Sequence, residues 1–375
     1  MPDKSIERLL EIFFSKSTKS DWKKIAIQET QGKDPYEILS WRGKDKILFL
    51  PYYDAQDVAN LQFLNGFLIP AAKNTSSEQR AWENLPTVNE KDEAKANDLV
   101  LKHLSLGAQG ALIDLRNVPN IDFSRLLQEI EWPYCFLAFH TNADTFFPDK
   151  LSNFIRSKHD PASVSGALFW ESIPKKSKLD FYFENCPDFK ALGLIVPPSS
   201  PAEEISDALL AGVRTFETLA TSSSSTALVF RSIAFSLSAD AVLIESYAKF
   251  KALRMLWYQV SRSYGHNDYN ITDLHIHARS QSVKDGAYTP YENMLKGTFA
   301  SMAAIMGGCN SLTVECESQP PLVPRWARNV SVILREESFF NEVSDPLAGA
   351  YGPDLIINEM ASKAWELFQV KWERS

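Results

Sequence analysis

The chain has 375 residues, more than a usual single domain but suited to one α/β barrel of about 250 residues carrying an extension. Hydrophobic residues make up 45% and charged residues 23%, a globular composition that argues against extended disorder. The net charge of -8 disfavours non-specific nucleic-acid binding, which draws on clustered Lys and Arg, so protein or small-molecule partners are expected.

The four cysteines, Cys135, Cys186, Cys309 and Cys316, form no paired-thiol motif, so buried structural cysteine in a reducing cytoplasm is the expectation. No run of about 18 apolar residues occurs, and neither a signal peptide nor a membrane span is expected.

In chain order, "MPDKSIERLLEIFFSKSTKSDWKK" reads as an amphipathic helix, and alternation around Gly43 in "DPYEILSWRGKDKILFLPYYDAQDV" predicts a hairpin. Residues 1–75 are therefore expected to form an amino-terminal arm, and 76–375 the main body. The charged "NEKDEAKAND" predicts a solvated helix start or turn. Short apolar runs then alternate with helical stretches: 110–115, 134–140, 165–170, 191–197, 232–237, 273–278 and 310–316.

Seven such runs separated by helices require parallel strands with crossovers, and burial on both faces explains their near-continuous hydrophobicity. An eighth strand is expected near "VSDPLAGAY", closing a (β/α)8 TIM-like barrel. Leu243, Tyr247, Phe250, Leu253 and Trp257 recur at helical spacing, predicting one apolar stripe against the barrel, with Lys249, Lys251 and Arg254 on other faces. "PPSSP" at 197–201 and "TSSSST" at 221–226 read as loops.

No glycine-rich phosphate loop, dinucleotide fingerprint, zinc-protease helix or serine-nucleophile elbow is present. His275 and His277 in "HIH" share one strand face, a spacing that suits two ligands of one ion in a barrel metallohydrolase. The other four histidines, His103, His140, His159 and His266, show no ligand spacing, so a hydrogen-bonded strand histidine is the plainer expectation and no metal is assigned.

"HIHARSQSVKDGAYTPYENMLKGTFASMAAIMGGCNSLTV", "RSIAFSLSADAVLIESYAKFKALRMLW", "REES" and "DPLAGAY" together resemble the barrel domain of the methylmalonyl-CoA mutase family, patchily from Arg80 to Trp365. The resemblance implies an acyl-CoA site along the barrel axis and, in the complete enzyme, adenosylcobalamin chemistry. It also implies that the cobalamin domain is absent here, because that domain's cobalt-ligating histidine motif does not occur.

Laid onto the family's substrate positions, Ser200 falls where an acyl-contacting histidine is expected, Phe169 and Arg279 where glutamines are, and Trp82 where a channel-loop tyrosine is. His277 matches a family histidine, Arg231 a CoA-contacting arginine and Arg80 a channel-loop arginine. The resemblance thus implies a degenerate substrate pocket with no catalytic residue. Loss of one positioned donor typically lowers a rate about a hundredfold or more.

Some members of the family pair a catalytic large subunit with a related, non-catalytic small one, and this chain resembles the small subunit. That implies a heterodimer with the large subunit, a homodimer as a possibility when the chain is alone, and no cofactor bound by this chain itself. Two alternatives remain: a catalytic acyl-CoA mutase barrel that uses a cobalamin domain from a separate chain, and the metal-dependent hydrolase.

Overall fold

A computed structural model describes residues 18–61, 81–118, 120–142, 147–171, 178–220, 225–280, 290–315 and 322–374. The first described element of the arm is α1 (Lys19–Glu29), entered through a capping box in which the Thr18 hydroxyl accepts from the Asp21 amide and the Asp21 carboxylate accepts from that of Thr18. After α2 (Pro35–Leu39), the predicted hairpin is present as β1 (Trp41–Arg42) and β2 (Leu48–Phe49), antiparallel, with Trp41 stacked on Phe49. The predicted helix over the first residues falls partly at 1–17, outside the described residues.

The barrel elements follow: β3 (Glu83–Asn84), β4 (Thr87–Val88), α3 (Glu93–Ser105), β5 (Gly110–Asp114), α4 (Phe123–Leu126), β6 (Phe136–Thr141), α5 (Phe147–Lys158), β7 (Ser165–Trp170) and α6 (Asp180–Asn185). Then come β8 (Phe189–Ile195), α7 (Pro201–Ala220), α8 (Thr226–Arg231), β9 (Ile233–Ala239), α9 (Leu243–Ser263), β10 (His275–Ser280), α10 (Pro290–Gly307), β11 (Ser311–Val314), α11 (Leu322–Glu336) and α12 (Tyr351–Glu373). The strand order is β3-β11-β10-β9-β8-β7-β6-β5-β4, with every neighbouring pair parallel.

The two ends of that order are consecutive in sequence. β3 and β4 are halves of one strand interrupted at Leu85 and Pro86, where proline has no amide to donate to a ladder. Leu85 donates its amide to the Leu312 carbonyl on one side, and Pro86 accepts from the Leu112 amide on the other. The split strand therefore joins the sheet's two edges, and among the described residues the ring has eight strand positions.

The eighth strand expected near "VSDPLAGAY" is thus misplaced. The missing strand is the first one, 83–88, too short and too broken by Pro86 to show as an apolar run, while 345–350 forms turns leading into α12. Every later strand moves up one place in the count. In the loop "TSSSST", residues 221–224 are not described, but Ser225 and Thr226 open α8.

The larger core lies between the ring and its helices, and a smaller cluster of Leu85, Leu112, Phe136, Ala138, Ala167 and Phe169 fills the lumen. α12 lies over α7 and α9, which explains why α9 is buried on nearly every face rather than along one stripe. Its polar residues are accordingly paired: Lys249 with Glu204 at 2.7 Å, Lys251 with Asp345, and Arg254 with the carbonyls of Ile271, Leu274 and Gly308. None of the described helices is long and apolar enough to cross a membrane.

Candidate functional site

Strand register decides which side chains meet in the lumen, because paired residues on neighbouring parallel strands face the same side. His277 pairs with Ser311 on β11 and Ser236 on β9, and Arg279 with Thr313 and Ser238. Phe169 pairs with His140 on β6 and Gly193 on β8. A Cβ at Gly193 would approach the Phe169 ring to 2.6 Å, so the glycine is what admits that ring.

Phe169 and His277 meet across the lumen with ring centroids 5.1 Å apart. Their exposures are 1% and 0%, so no water-sized gap reaches either ring. One level towards the amino-terminal end, Phe136 stacks on His275 at 5.0 Å. The Ser311 hydroxyl lies 2.9 Å from both His275 Nε2 and His277 Nδ1, so it can donate to one imidazole and accept from the other.

Burial, reinforced by the charge of Arg279, pushes the His277 imidazole down to about 3, which keeps it neutral. Its Nε2 makes no hydrogen bond. The two histidines converge on a hydroxyl rather than on a common point for an ion, and among the described residues no three His, Cys, Asp or Glu groups assemble as ligands. Cys135, Cys186 and Cys309 are buried, and burial pushes the first two thiols up to about 12. Cys316 lies outside the described residues.

Of the sequence-predicted positions, Phe169, His277 and Arg279 share the lumen, with Arg279 at the carboxyl-terminal mouth donating to the Val196 carbonyl at 3.0 Å. The others lie apart. Ser200 precedes α7 and donates its hydroxyl to the Asp45 carboxylate of the arm, 2.5 Å away. Arg231 sits at the opposite end of the barrel, half-exposed, paired with Asp268 at 2.8 Å and facing Asp273 at 3.7 Å. Trp82 is buried in the outer layer, its indole donating to the Ser331 hydroxyl at 2.8 Å beneath the Arg335 guanidinium. Arg80 lies outside the described residues.

Sequence reasoning missed a charged cluster at the mouth. Arg116 holds Asp114 through paired bonds of 3.0 and 2.7 Å and reaches Glu171 at 3.1 Å, while His140 contacts Glu171 at 2.9 Å. The hydrogen bonds from Arg116 hold the Asp114 carboxyl below its usual range, against the opposing effect of burial. Asp114 and His140 lie at the ends of the predicted runs 110–115 and 134–140, and Glu171 follows the run 165–170, so spacing alone carries no signal for their meeting.

Residues 198–371 match the family model described as Methylmalonyl-CoA mutase. Over 368 residues the chain is 26% identical to a methylmalonyl-CoA mutase small subunit of Porphyromonas gingivalis, covering 89% of this chain and 59% of that one. It is 24% identical over 407 residues to a small subunit of Streptomyces virginiae, covering 98% of this chain and 65% of the other. A large subunit from Porphyromonas gingivalis is 28% identical over 127 residues, covering 32% of this chain and 18% of that one. The resemblance to the family, and within it to small subunits, is borne out, although the chain spans less than two thirds of either small subunit.

Proposed function

We propose that the chain is the barrel of a small, non-catalytic subunit of an adenosylcobalamin-dependent methylmalonyl-CoA mutase, serving as a docking body for a catalytic large subunit in the cytoplasm. The observation that carries this reading is the closed contact of Phe169 with His277 in the lumen where the resemblance expects an acyl chain. A channel for a thioester needs room and polar groups directed at its carbonyl. Here the aromatic and aliphatic side chains fill the room; Ser311 lies between the two imidazoles and Arg279 is bonded to the Val196 carbonyl, while His277 Nε2 is buried beside the Phe169 ring with no partner.

The cofactor implied by the resemblance supplies radical initiation where it is bound, and that chemistry belongs to the cofactor rather than to the surrounding protein. The described lumen does not fit such a group: Ser311 lies between the His275 and His277 imidazoles, Arg279 donates to the Val196 carbonyl, and the unpartnered His277 Nε2 lies in a space closed by the Phe169 ring. On this reading adenosylcobalamin is bound by the large subunit, which carries out the isomerisation.

Support for the pairing comes from relatives named as small and large subunits in one organism, Porphyromonas gingivalis. Obligate interfaces of this kind bury about 2,000 Å² or more. Co-expression with a large subunit should yield a complex of fixed stoichiometry, and independent elution of the two chains would defeat the proposal. The competing reading, a catalytic barrel borrowing a cobalamin domain, rests on the retained His277. It requires turnover on mixing with that domain and loss of turnover in a His277→Ala variant.

A further inference from the structure

The arm does more than precede the barrel. Its hairpin tip reaches the carboxyl-terminal mouth and contacts two segments there, the start of α7 and the turn from β9 into α9. Asp45, 8% exposed, accepts from the Ser200 hydroxyl at 2.5 Å and from the Ala202 amide at 2.8 Å. The Lys44 amide donates to Glu245 at the start of α9 at 2.8 Å, and the Lys44 ammonium pairs with Asp240 after β9. Gly43 permits the approach, since a Cβ there would lie 1.8 Å from a Glu245 carboxylate oxygen.

The way α7 begins is unusual. Ser200 occupies the N-cap position, its carbonyl accepting the Glu204 amide at 2.9 Å, and serine is among the best residues for accepting a first-turn amide with its own hydroxyl. Here that hydroxyl donates to Asp45, and the amide of Ala202 is satisfied by a carboxylate delivered from 157 positions away. The local sequence already contains the cap that the hairpin displaces. Withdrawal of the hairpin would leave the helix with a replacement acceptor rather than an orphaned donor.

The same segment is held from inside the barrel, where Arg279 on β10 donates to the Val196 carbonyl. Residues 196–200 are thus fixed between a lumen arginine and the arm. We infer that the β1–β2 hairpin is a releasable strap over the mouth, switching the start of α7 between a docked state capped by Asp45 and a released state capped by Ser200. In the released state the 196–200 segment loses its outer anchor and the side of the mouth next to Arg279 opens. The inference does not depend on the large-subunit partner.

Native-state hydrogen exchange on the intact chain tests it. The hydrogen-bonded hairpin amides of Gly43, Lys44 and Lys46, and in the 196–200 segment the Val196 amide bonded to the Ser236 carbonyl, should open together, with one denaturant dependence and below the free energy of global unfolding. An Asp45→Ala chain should exchange about tenfold faster in both segments while the Ala202 amide stays protected, and the Asp45→Ala/Ser200→Ala chain should lose that protection as well. Separate denaturant dependences for the two segments in the unmodified chain would overturn the strap, and this measurement needs no variant to fold. An Ala202 amide equally unprotected in the single and double variants would overturn the exchange of caps.

Discussion

The Phe169 ring lies 5.1 Å from the His277 imidazole at an interplanar angle of 38°, and neither has room for a water molecule beside it. One residue comes from the fourth strand of the ring and the other from the seventh, so their contact spans the lumen. Core packing occupies that space.

Truncation of the plug should therefore be felt as a core defect. Phe169→Ala is expected to destabilise the chain by about 3–5 kcal/mol, because a buried ring is lost and the neighbouring Gly193 has no side chain to fill the gap. Urea denaturation midpoints at an unchanged slope provide the measurement. A loss below about 1 kcal/mol would mean that the lumen is not tightly packed there.

His277 should also leave a mark on stability against pH. Its folded-state value, pushed down to about 3, lies below the ordinary histidine value, so the unfolded chain binds the proton first as pH falls. This histidine's contribution is fully present above about pH 6.5 and declines as pH falls towards 3, with a slope of order 1 kcal/mol per pH unit. A His277→Asn chain should show a shallower loss across that window. Identical pH profiles for the two chains would contradict the neutral buried imidazole.

Lys249 and Glu204 form a buried pair at 2.7 Å, with the Ser238 hydroxyl donating to the same carboxylate. Removal of one partner leaves an uncompensated charge, so Lys249→Met is expected to cost about 3–5 kcal/mol. Lys249→Met/Glu204→Gln should recover a large part of that loss. Additive losses in thermal unfolding of the two single variants and the double variant would show that the pair is not coupled.

Arg254 bridges the turns before β10 and β11, donating to three carbonyls and to the Asn310 side chain at 2.8–2.9 Å. Lysine has no planar fork to span these acceptors, so Arg254→Lys should cost about 2–4 kcal/mol despite keeping the charge. Chemical denaturation should register the difference; near-neutrality would mean that those carbonyls find other donors.

Seven strands were legible because parallel strands buried on both faces read as short apolar runs, as in "GALIDL" and "YCFLAFH". The first strand was not, since Glu83, Asn84, Pro86 and Thr87 give it no apolar run and its ladder bonds are divided between β11 and β5. The helical stripe on α9 was correct, but periodicity could not reveal that α12 would cover the remaining faces and bury Lys249, Lys251 and Arg254. At the site, strand alternation placed His275 and His277 on one face. Ser200 with Asp45, and Arg116 with Glu171, are meetings of loops that depend on the closed ring and carry no spacing signal.

The central claim is most directly tested by assaying isomerisation with methylmalonyl-CoA and adenosylcobalamin, using the purified chain alone and the chain combined with a large subunit. The account predicts no turnover above background for the chain alone and turnover for the combination, unchanged in kcat when this chain carries His277→Ala and still docks. Isomerisation by the unaccompanied chain would contradict it.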